Sequence, residues 1–563
     1  MSPLHKLAHY IGQSTFRKHL FFIIATLLTL SFAGYYFGTF DQASHLPFFK
    51  KYIDSTLYPG DRFIDLRFIH YSYFWFLFEP FYRLGLLEVS MFVVHVVIIY
   101  MTIWAIWRLS FTLFKNELVS LLSVVVFILP HISFGGFTVF EFSLVNRTFV
   151  LPFLLWALDL YLRRKYYLAF FILGIMFNFH ILSVNFVLFM MVFDYILQLK
   201  RKDGWKNITL SMILFIVGAL PVLIWKLQSH TSDFGLHPDW FSLLSRGFLN
   251  HLFYPFSFHP YILFMAVGGI STIFIFFIAR RFAPSPKYNQ EITNFVYAIL
   301  VILLIETVTA LWFPLDVIIE SQIIRVSIFL TLFSYFYLTS YVIKKVQLNK
   351  LTKLDTLLLV IALFFSFSPF IALIVIVQQE LASLKSLWIA LSTLLVTIVF
   401  IAGILIVAYQ INIWRPGIHV FAEHSTWYEA QLWARDNTPK STLFITPPYL
   451  WWFYSLDWRV VSERSTVSTL AELLEAAFSP QYIDYWRLRF GAVAPGAIDQ
   501  FRGDTFANFK ITKKAFSQLT LKNLKSISNR FNASYLVVER PQQYPLRVAY
   551  ENRDFIIYNL KSL

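Results

Sequence analysis

The chain has 563 residues, of which 58% are hydrophobic, 20% aromatic and only 14% charged. An ordinary soluble domain carries about 25% charged residues, so this composition excludes a typical soluble protein. The net charge of +15 would suggest nucleic acid in a soluble protein. In a membrane protein, basic cytoplasmic loops explain such a charge, and we expect no nucleic-acid partner. Cysteine is absent from the sequence, which excludes disulfides, thiolate metal sites and cysteine nucleophiles.

Apolar runs recur between residues 20 and 409, at about the 20-residue length with which a helix crosses a bilayer. The first run follows Arg17 and Lys18 but lacks a small-residue cleavage site, so we expect a retained span rather than a signal peptide. The predicted spans, each bounded to within several residues, are 19–39, 88–108, 117–131, 147–162, 166–180, 182–199, 208–227, 259–279, 292–313, 322–342, 355–377 and 386–409.

Clusters of lysine and arginine alternate along the chain with acidic or neutral loops. By the positive-inside rule this alternation predicts a multi-pass membrane protein with a cytoplasmic N-terminus. We expect its location to be the plasma (inner) membrane. Two long loops, 40–87 and 228–258, then lie outside. Within the first, the aromatic stretch 70–85 is typical of a helix that lies in the membrane interface.

The first external loop combines Asp41 with His45, four residues later. Ionisable residues at the end of a span are candidates for function. Asp41 either caps the outer end of the span or acts as a general base, because partial desolvation can raise a carboxyl pKa toward the range useful for proton removal. His45 follows at helical spacing and could pair with Asp41 on one turn.

Three further acids of this loop favour a structural interpretation. Asp54 and Asp61 flank the Pro-Gly turn of "STLYPGD", and Asp65 follows Asp61 by four residues. We expect Asp54, Asp61 and Asp65 to cap short helices and to pair with Arg62 and Arg67.

Two arginines lie at the outer ends of predicted spans, against the usual charge bias. Arg147 begins one span, and Arg325 stands in "ESQIIRVSIF", which also contains Gln322. A guanidinium matches the geometry of phosphate. The alternatives are snorkelling or ion pairs with Glu141 and Glu320.

His180 is predicted at the outer turn of the short hairpin 166–199. A lone histidine on an apolar face is more often structural than functional, so both interpretations stay open.

From residue 411 the long apolar runs stop and charge rises. A helix capped by Ser425 or Thr426 and strands at 441–446, 533–539 and 554–560 predict a small α/β domain. Twelve spans from a cytoplasmic N-terminus would leave this domain in the cytoplasm, whereas eleven or thirteen would place it outside. The number of spans is left open within residues 355–409.

This layout resembles the GT-C class of membrane glycosyltransferases, which includes protein mannosyltransferases and lipid A aminoarabinose transferases. The resemblance rests on a first span followed by a large acidic external loop, on "DQASHLPFFKKYIDSTLYPGD", on "AFFILGIMFNFH" and on the tail "WARDNTPKSTLFITPP". It implies a mainly α polytopic bundle of about 11–13 spans over residues 1–410. It also implies an extracytoplasmic C-terminal α/β domain over residues 411–563.

The resemblance further implies sugar transfer, with inversion, from a polyprenyl-phosphate donor to a glycan, lipid or protein acceptor of the bacterial envelope. Asp41 would be the catalytic base. The candidates for binding the substrate and its phosphate are His45, Arg147, His180, Gln322 and Arg325. Some members of the class carry a D-x-D or E-x-D pair where this chain has "FDQ". We therefore assign no metal ligands and no certain cofactor, with a divalent cation as the alternative.

Two other functions remain as alternatives. A transporter or flippase of lipid-linked glycans predicts inverted repeats and polar residues at mid-span, and a non-catalytic envelope protein could share the same fold. The enzyme hypothesis requires Asp41, Arg147, His180 and Arg325 to converge on one cavity.

Overall fold

The chain folds as a helical bundle followed by a domain built on a small sheet. Among the described residues, six helices are long and apolar enough to cross a membrane, consistent with a multi-pass membrane protein. The computed structural model describes residues 3–199, 204–229, 235–247, 260–348, 351–364, 369–381, 387–410, 414–450 and 455–562.

The bundle is formed by helices α1 to α19. Their bounds are α1 Pro3–Gly12, α2 Thr15–Ala33, α3 Asp41–Ile53, α4 Arg62–Asp65, α5 Glu79–Arg83, α6 Leu87–Phe114, α7 Glu117–Ile128, α8 Asn146–Leu162, α9 Tyr166–Phe177, α10 Ile181–Leu197, α11 Trp205–Gln228, α12 Pro238–Gly247, α13 Pro260–Phe282, α14 Asn289–Trp312, α15 Asp316–Glu320, α16 Ser327–Gln347, α17 Lys353–Phe364, α18 Pro369–Glu380 and α19 Leu387–Gln410. Short 3-10 helices cover Leu66–Ile69, Trp75–Phe78 and Ile323–Val326.

The two ends of the bundle differ in charge. At one end, which we call the basic end, Arg108 and Arg163 contact Asp159 at 2.8 and 3.2 Å. There Lys344 also donates to the carbonyl of Phe282 at 2.6 Å. At the opposite end, which we call the loop end, the long loops meet the C-terminal domain. Basic cytoplasmic loops would produce this difference in charge between the two ends.

The predicted span 355–377 is wrong, because two helices, α17 and α18, occupy this region. At the loop end, the ring of His131 lies 3.2 Å from the Leu363 carbonyl oxygen. At the basic end, Lys345 contacts Glu380 at 2.6 Å. The two helices therefore run to the loop end and back, which adds one crossing of the bundle to the twelve that the sequence predicted.

This extra crossing makes the number of helices that run between the two ends odd. Helix α19 then runs from the basic end to the loop end, where Trp414 donates to the Phe32 carbonyl at 3.0 Å. In the described part of the chain, the helices that run between the two ends are α2, α6 to α11, α13, α14 and α16 to α19. That odd number places the domain at the opposite end of the bundle from the basic N-terminal segment.

The C-terminal domain places helices against a five-stranded sheet with strand order β4-β3-β5-β7-β6. β3 is parallel to β4 and β5, and β7 is antiparallel to β5 and β6. The bounds are α20 Thr426–Asn437, β3 Leu443–Ile445, α21 Trp458–Ser462, β4 Ser465–Thr466, α22 Glu472–Glu475, α23 Ile483–Val493, α24 Ala497–Gln500, α25 Thr505–Ser517, α26 Leu521–Phe531, β5 Ala533–Glu539, β6 Val548–Glu551 and β7 Phe555–Asn559.

The predicted small domain and its three predicted strands are present as β3, β5 and β7. Ser425 is the N-cap of α20, where its side chain accepts from Tyr428 N at 3.2 Å. Strands β4 and β6 were not predicted. β4 has only two residues, and β6 carries mostly exposed side chains, so neither has the alternating apolar pattern of a half-buried strand.

The domain packs on both long loops and on the segment that precedes the first. In the first loop, Lys50 contacts Glu463 at 2.7 Å. The strand β1 (Tyr35–Tyr36), directly after α2, pairs in parallel with β2 (Ile418–His419). From the second loop, Trp240 donates to the Ala476 carbonyl at 2.8 Å and is 1% exposed. The rest of that loop, 248–258, lies outside the described residues.

Candidate functional site

Asp41 is the first residue of α3, not the neighbour of the first span. The first span ends at Ala33, where Gly34 with φ of 78° caps the helix. The predicted end at residue 39 was too late, because the apolar residues 35–37 form β1 and its continuation instead. The C-terminal segment pairs with β1, so α3 and Asp41 lie under the C-terminal domain.

Arg147, on the first turn of α8, joins Asp41 to a second acid. Its Nη1 donates to Asp41 Oδ2, and its Nε donates to Glu141 Oε1 at 2.7 Å. The arginine side chain is only 10% exposed. One guanidinium thus neutralises part of the charge of two carboxylates, and charge-assisted hydrogen bonds of this kind are among the strongest.

Arg325 approaches the same place from the 3-10 helix before α16. Its guanidinium lies 4.8 Å from the centre of the Phe137 ring, and that of Arg147 lies 5.7 Å from the same ring. Both distances suit a cation–π contact. Arg147, Arg325, Glu141 and Ser183 line one cavity of about 40 Å³. A cavity of this size holds a few water molecules.

The charge around Asp41 sets its protonation state. Burial raises the pKa of the Asp41 carboxyl, but Arg147, together with His45 and Arg325, outweighs burial and holds the pKa well below its usual range. The expectation that desolvation raises this pKa is wrong for the closed ion pair, because the sequence did not reveal the arginine beside it.

His180 lies close to this cluster, and the Gln322 carbonyl accepts a hydrogen bond from the backbone N of Arg325 at 3.1 Å. His180 is the N-cap of α10, and its Nδ1 lies 2.8 Å from Oγ of Ser183, which lines the cavity. Gln322 is 1% exposed and has a φ of 42°. Non-glycine residues rarely adopt this conformation, and such strain is concentrated at functional sites.

His45 is not among the residues that line the cavity, and its ring contacts the C-terminal domain. Its Nε2 lies 3.7 Å from one carboxylate oxygen of Glu475, and His70 Nε2 lies 3.0 Å from the other. His70 and Glu475 were not predicted as site residues. His70 stood in an aromatic stretch without ligand spacing, and Glu475 lies more than 400 positions from both histidines.

The other loop acids make structural contacts. Asp54 accepts from Lys440 at 2.6 Å, and Asp65 pairs with Arg67 at 2.9 Å. Asp61 caps α4 through Phe63 N. Its expected pairing with Arg62 is wrong: Asp61 contacts Arg459 of the C-terminal domain at 2.8 Å.

A second, larger cavity of about 260 Å³ lies between β1, β2 and the C-terminal domain. Polar and aromatic side chains form much of its lining, among them Tyr36, Thr39, Arg415, His419, Glu423 and Trp427. Tyr36 stacks on His419 with ring centres 4.5 Å apart, and Arg415 pairs with Glu423 at 2.6 Å. Thr39, which lines this cavity, is two residues before Asp41 in the chain.

No protein-family model matches the chain, and no curated protein matches it either.

Proposed function

We propose that the protein is an inverting membrane glycosyltransferase that moves a sugar from a polyprenyl-phosphate-linked donor to an envelope acceptor. The observation that carries the proposal is the contact of Asp41 with Arg147, beside Arg325, at the loop end of the bundle. A carboxylate and two guanidinium groups are the parts that such a transfer needs, namely a base and a clamp for phosphate.

The phosphate of the donor would bind at the two arginines. Arg147 would exchange its contacts with Asp41 and Glu141 for the phosphate oxygens, which a guanidinium binds through paired hydrogen bonds. Asp41 would then lose its nearest positive charge, and its pKa would rise from the depressed value of the closed pair. Donor binding itself would therefore prepare the base.

The transfer step would then proceed in one displacement. Asp41 would take the proton of an acceptor hydroxyl, whose oxygen would attack the anomeric carbon opposite the leaving group. The bond from that carbon to the phosphate oxygen would break, and the electron pair would leave with the phosphate. Arg147 and Arg325 would stabilise the charge that develops there. The acceptor would enter through the larger cavity, whose aromatic and polar lining suits a sugar.

The small cavity requires a conformational change before the donor binds. A volume of about 40 Å³ holds water but not a sugar phosphate. Opening the contact between Arg147 and Asp41 would enlarge it, and side-chain rearrangement at Phe137 would expose the arginines to lipid.

The proposed location is the inner membrane, with the N-terminus in the cytoplasm and the C-terminal domain outside. The basic end of the bundle supports this orientation, as does the odd number of crossings. The isoprenoid tail of the donor would then lie among the lipids beside the bundle.

The transporter alternative has less support. Asp194, a buried acid of α10, accepts hydrogen bonds from Tyr161 at 2.8 Å and Asn294 at 2.7 Å. A buried polar network whose members are satisfied is typical of a structural link between helices. It therefore gives no particular reason to propose a transport path.

The test is glycan and lipid-linked-sugar analysis of a strain that lacks the protein, complemented by wild type, D41N or D54N. Asp54 is a matched control, since it is an acid of the same loop that pairs with Lys440. We expect wild type and D54N to restore the missing glycan and D41N to accumulate the lipid-linked donor. Restoration by D41N would refute the base assignment, and an unchanged glycan profile in the deletion strain would refute the proposed function.

A further inference from the structure

Two histidines and one glutamate form a cluster between the first loop and the C-terminal domain. His45 belongs to α3, His70 follows the 3-10 helix Leu66–Ile69, and Glu475 ends α22. Each offers one ligand atom, and these three atoms lie within 4.8 Å of one another. We propose that His45, His70 and Glu475 bind a divalent transition-metal ion of the zinc class. This site does not depend on the proposed glycosyl transfer.

The distances in the cluster are close to those of a metal site. Zinc binds imidazole nitrogen and carboxylate oxygen at about 2.0–2.2 Å, which places tetrahedral donors about 3.3 Å apart. The two histidine nitrogens lie 3.7 and 3.0 Å from the Glu475 oxygens. All three ligand atoms lie within 4.8 Å of one another, so small side-chain shifts would bring them to the tetrahedral spacing.

The donor set selects the kind of ion. Imidazole suits zinc, copper, iron and nickel, whereas magnesium and calcium prefer oxygen ligands. Two histidines and a glutamate leave a fourth position for water in a tetrahedral site. His70 is 21% exposed on its side chain, which leaves a path for the ion from solvent.

Aromatic side chains surround the three proposed metal ligands and offer them few hydrogen-bond partners. The His45 ring lies 5.9 Å from the Trp75 ring, and the His70 ring lies 5.3 Å from Phe478. Within the described residues, His45 Nδ1 is buried without a hydrogen-bond partner. An aromatic setting of this kind would ordinarily exclude three polar side chains, since burying them without full pairing is costly.

A simple ion pair accounts less well for the cluster. One protonated histidine is enough to neutralise Glu475, and the second ring adds a donor that a salt bridge does not need. If both rings were protonated, two positive charges would lie with ring centres 5.4 Å apart and would repel each other. A single divalent ion replaces both protons and contacts all three side chains.

The ion would fasten the C-terminal domain to the first loop. Glu475 comes from the domain, whereas both histidines come from the loop, and His45 is one helical turn after Asp41 on α3. Metal binding would therefore hold α3, and with it Asp41, in a fixed position under the domain. Binding to the folded state alone also stabilises that state by mass action.

The test uses the full-length protein purified in detergent, stripped with a chelator and titrated with Zn²⁺ and Co²⁺. The site variants are H70Q and E475Q. The control is H237Q, because His237 contacts Asp316 at 2.6 Å in a pair at the same end of the bundle. We expect wild type and H237Q to bind one ion and to melt at a higher temperature with Zn²⁺. Both site variants should bind at least about 100-fold more weakly, since loss of an outer-shell partner alone costs roughly 10–100-fold in affinity.

A second measurement avoids variants that fail to fold. X-ray absorption of the zinc-loaded wild type should show nitrogen or oxygen ligands at about 2.0–2.1 Å, with scattering from two imidazole rings. The proposal is overturned if the wild type binds no ion, if the site variants bind as tightly as H237Q, or if fewer than two imidazoles surround the zinc.

Discussion

Arg147 at the start of α8 donates a hydrogen bond to Asp41 at the start of α3, across 106 positions of the chain. The same guanidinium also holds Glu141, so two acids depend on one cation. This relationship makes Arg147 the residue whose replacement has the clearest consequences for the site.

Replacing Arg147 by methionine should destabilise the fold. R147M keeps the apolar stem but leaves Asp41 and Glu141, which are 18% and 11% exposed, without their cation. Removing one partner of a buried ion pair costs roughly 3–5 kcal/mol, and chemical denaturation in detergent measures this loss. Adding D41N and E141Q to R147M should recover most of it, whereas a fully stable R147M would show that the acids need no cation.

The contribution of Asp41 to stability should depend on pH in a defined direction. Since its pKa is lower in the folded chain, the unfolded chain takes up the proton first as the pH falls. The ion pair therefore stabilises the fold fully above the unfolded pKa of about 3.9. It loses that effect as the pH falls through the lower folded value.

Denaturation of wild type and D41N at several pH values tests the direction of this pH dependence. The difference in free energy of unfolding should be constant between about pH 7 and pH 5 and should shrink below about pH 4. A difference that already shrinks near pH 6 would mean that burial prevails over Arg147 and raises the pKa.

The contact between Asp61 and Arg459 should hold the first loop to the C-terminal domain. Arg459 is 1% exposed and also donates to Glu472 at 2.6 Å. R459M leaves several buried acids unpaired and should cost roughly 3–5 kcal/mol. D61N leaves Arg459 with Glu472 and should cost roughly 1–3 kcal/mol. Denaturation, together with limited proteolysis between the bundle and the domain, compares the stability of the two variants. An equal loss of stability in both would contradict the shared network.

Gly174 should be required for the packing of α9 on α11. A Cβ at Gly174 would lie 2.2 Å from the Phe215 carbonyl oxygen, whereas a Cβ at Gly403 on α19 meets nothing within 4 Å. Small residues allow helix backbones to approach in membranes. G174A should therefore lose roughly 1–3 kcal/mol or more. G403A should be neutral or gain up to about 1 kcal/mol. Thermal unfolding in detergent compares them, and equal stability would refute the close approach.

Most of the long helices, together with the strands β3, β5 and β7, could be predicted because their signals are local. An apolar run of membrane length identifies α6 or α14 without knowledge of any neighbour, and Ser425 marks the start of α20 by its own capping chemistry. The predicted span 355–377 failed because its hydropathy is continuous across α17 and α18. Hydropathy alone does not reveal where a chain reverses inside a protein.

The candidate site could be predicted only in part. Asp41, Arg147 and Arg325 stood out because charges at the outer ends of spans are unusual. The enzyme hypothesis required these residues to converge on one cavity, but the pairing of Arg147 with Asp41 was not predictable, and neither was its effect on the pKa of Asp41. Nothing in the sequence around Glu475 indicated a site, because only the fold brings the two histidines to it.

The sequence by itself therefore determined that the chain forms an apolar helical bundle with a small α/β domain, because hydrophobicity and capping act within a few residues of the chain. The tertiary structure alone decided that α17 and α18 return to the basic end. It alone also decided that Arg147 joins Asp41 and that Asp61 reaches Arg459. These contacts connect residues far apart in the chain, and their energies depend on burial and charge that exist only once the helices have packed.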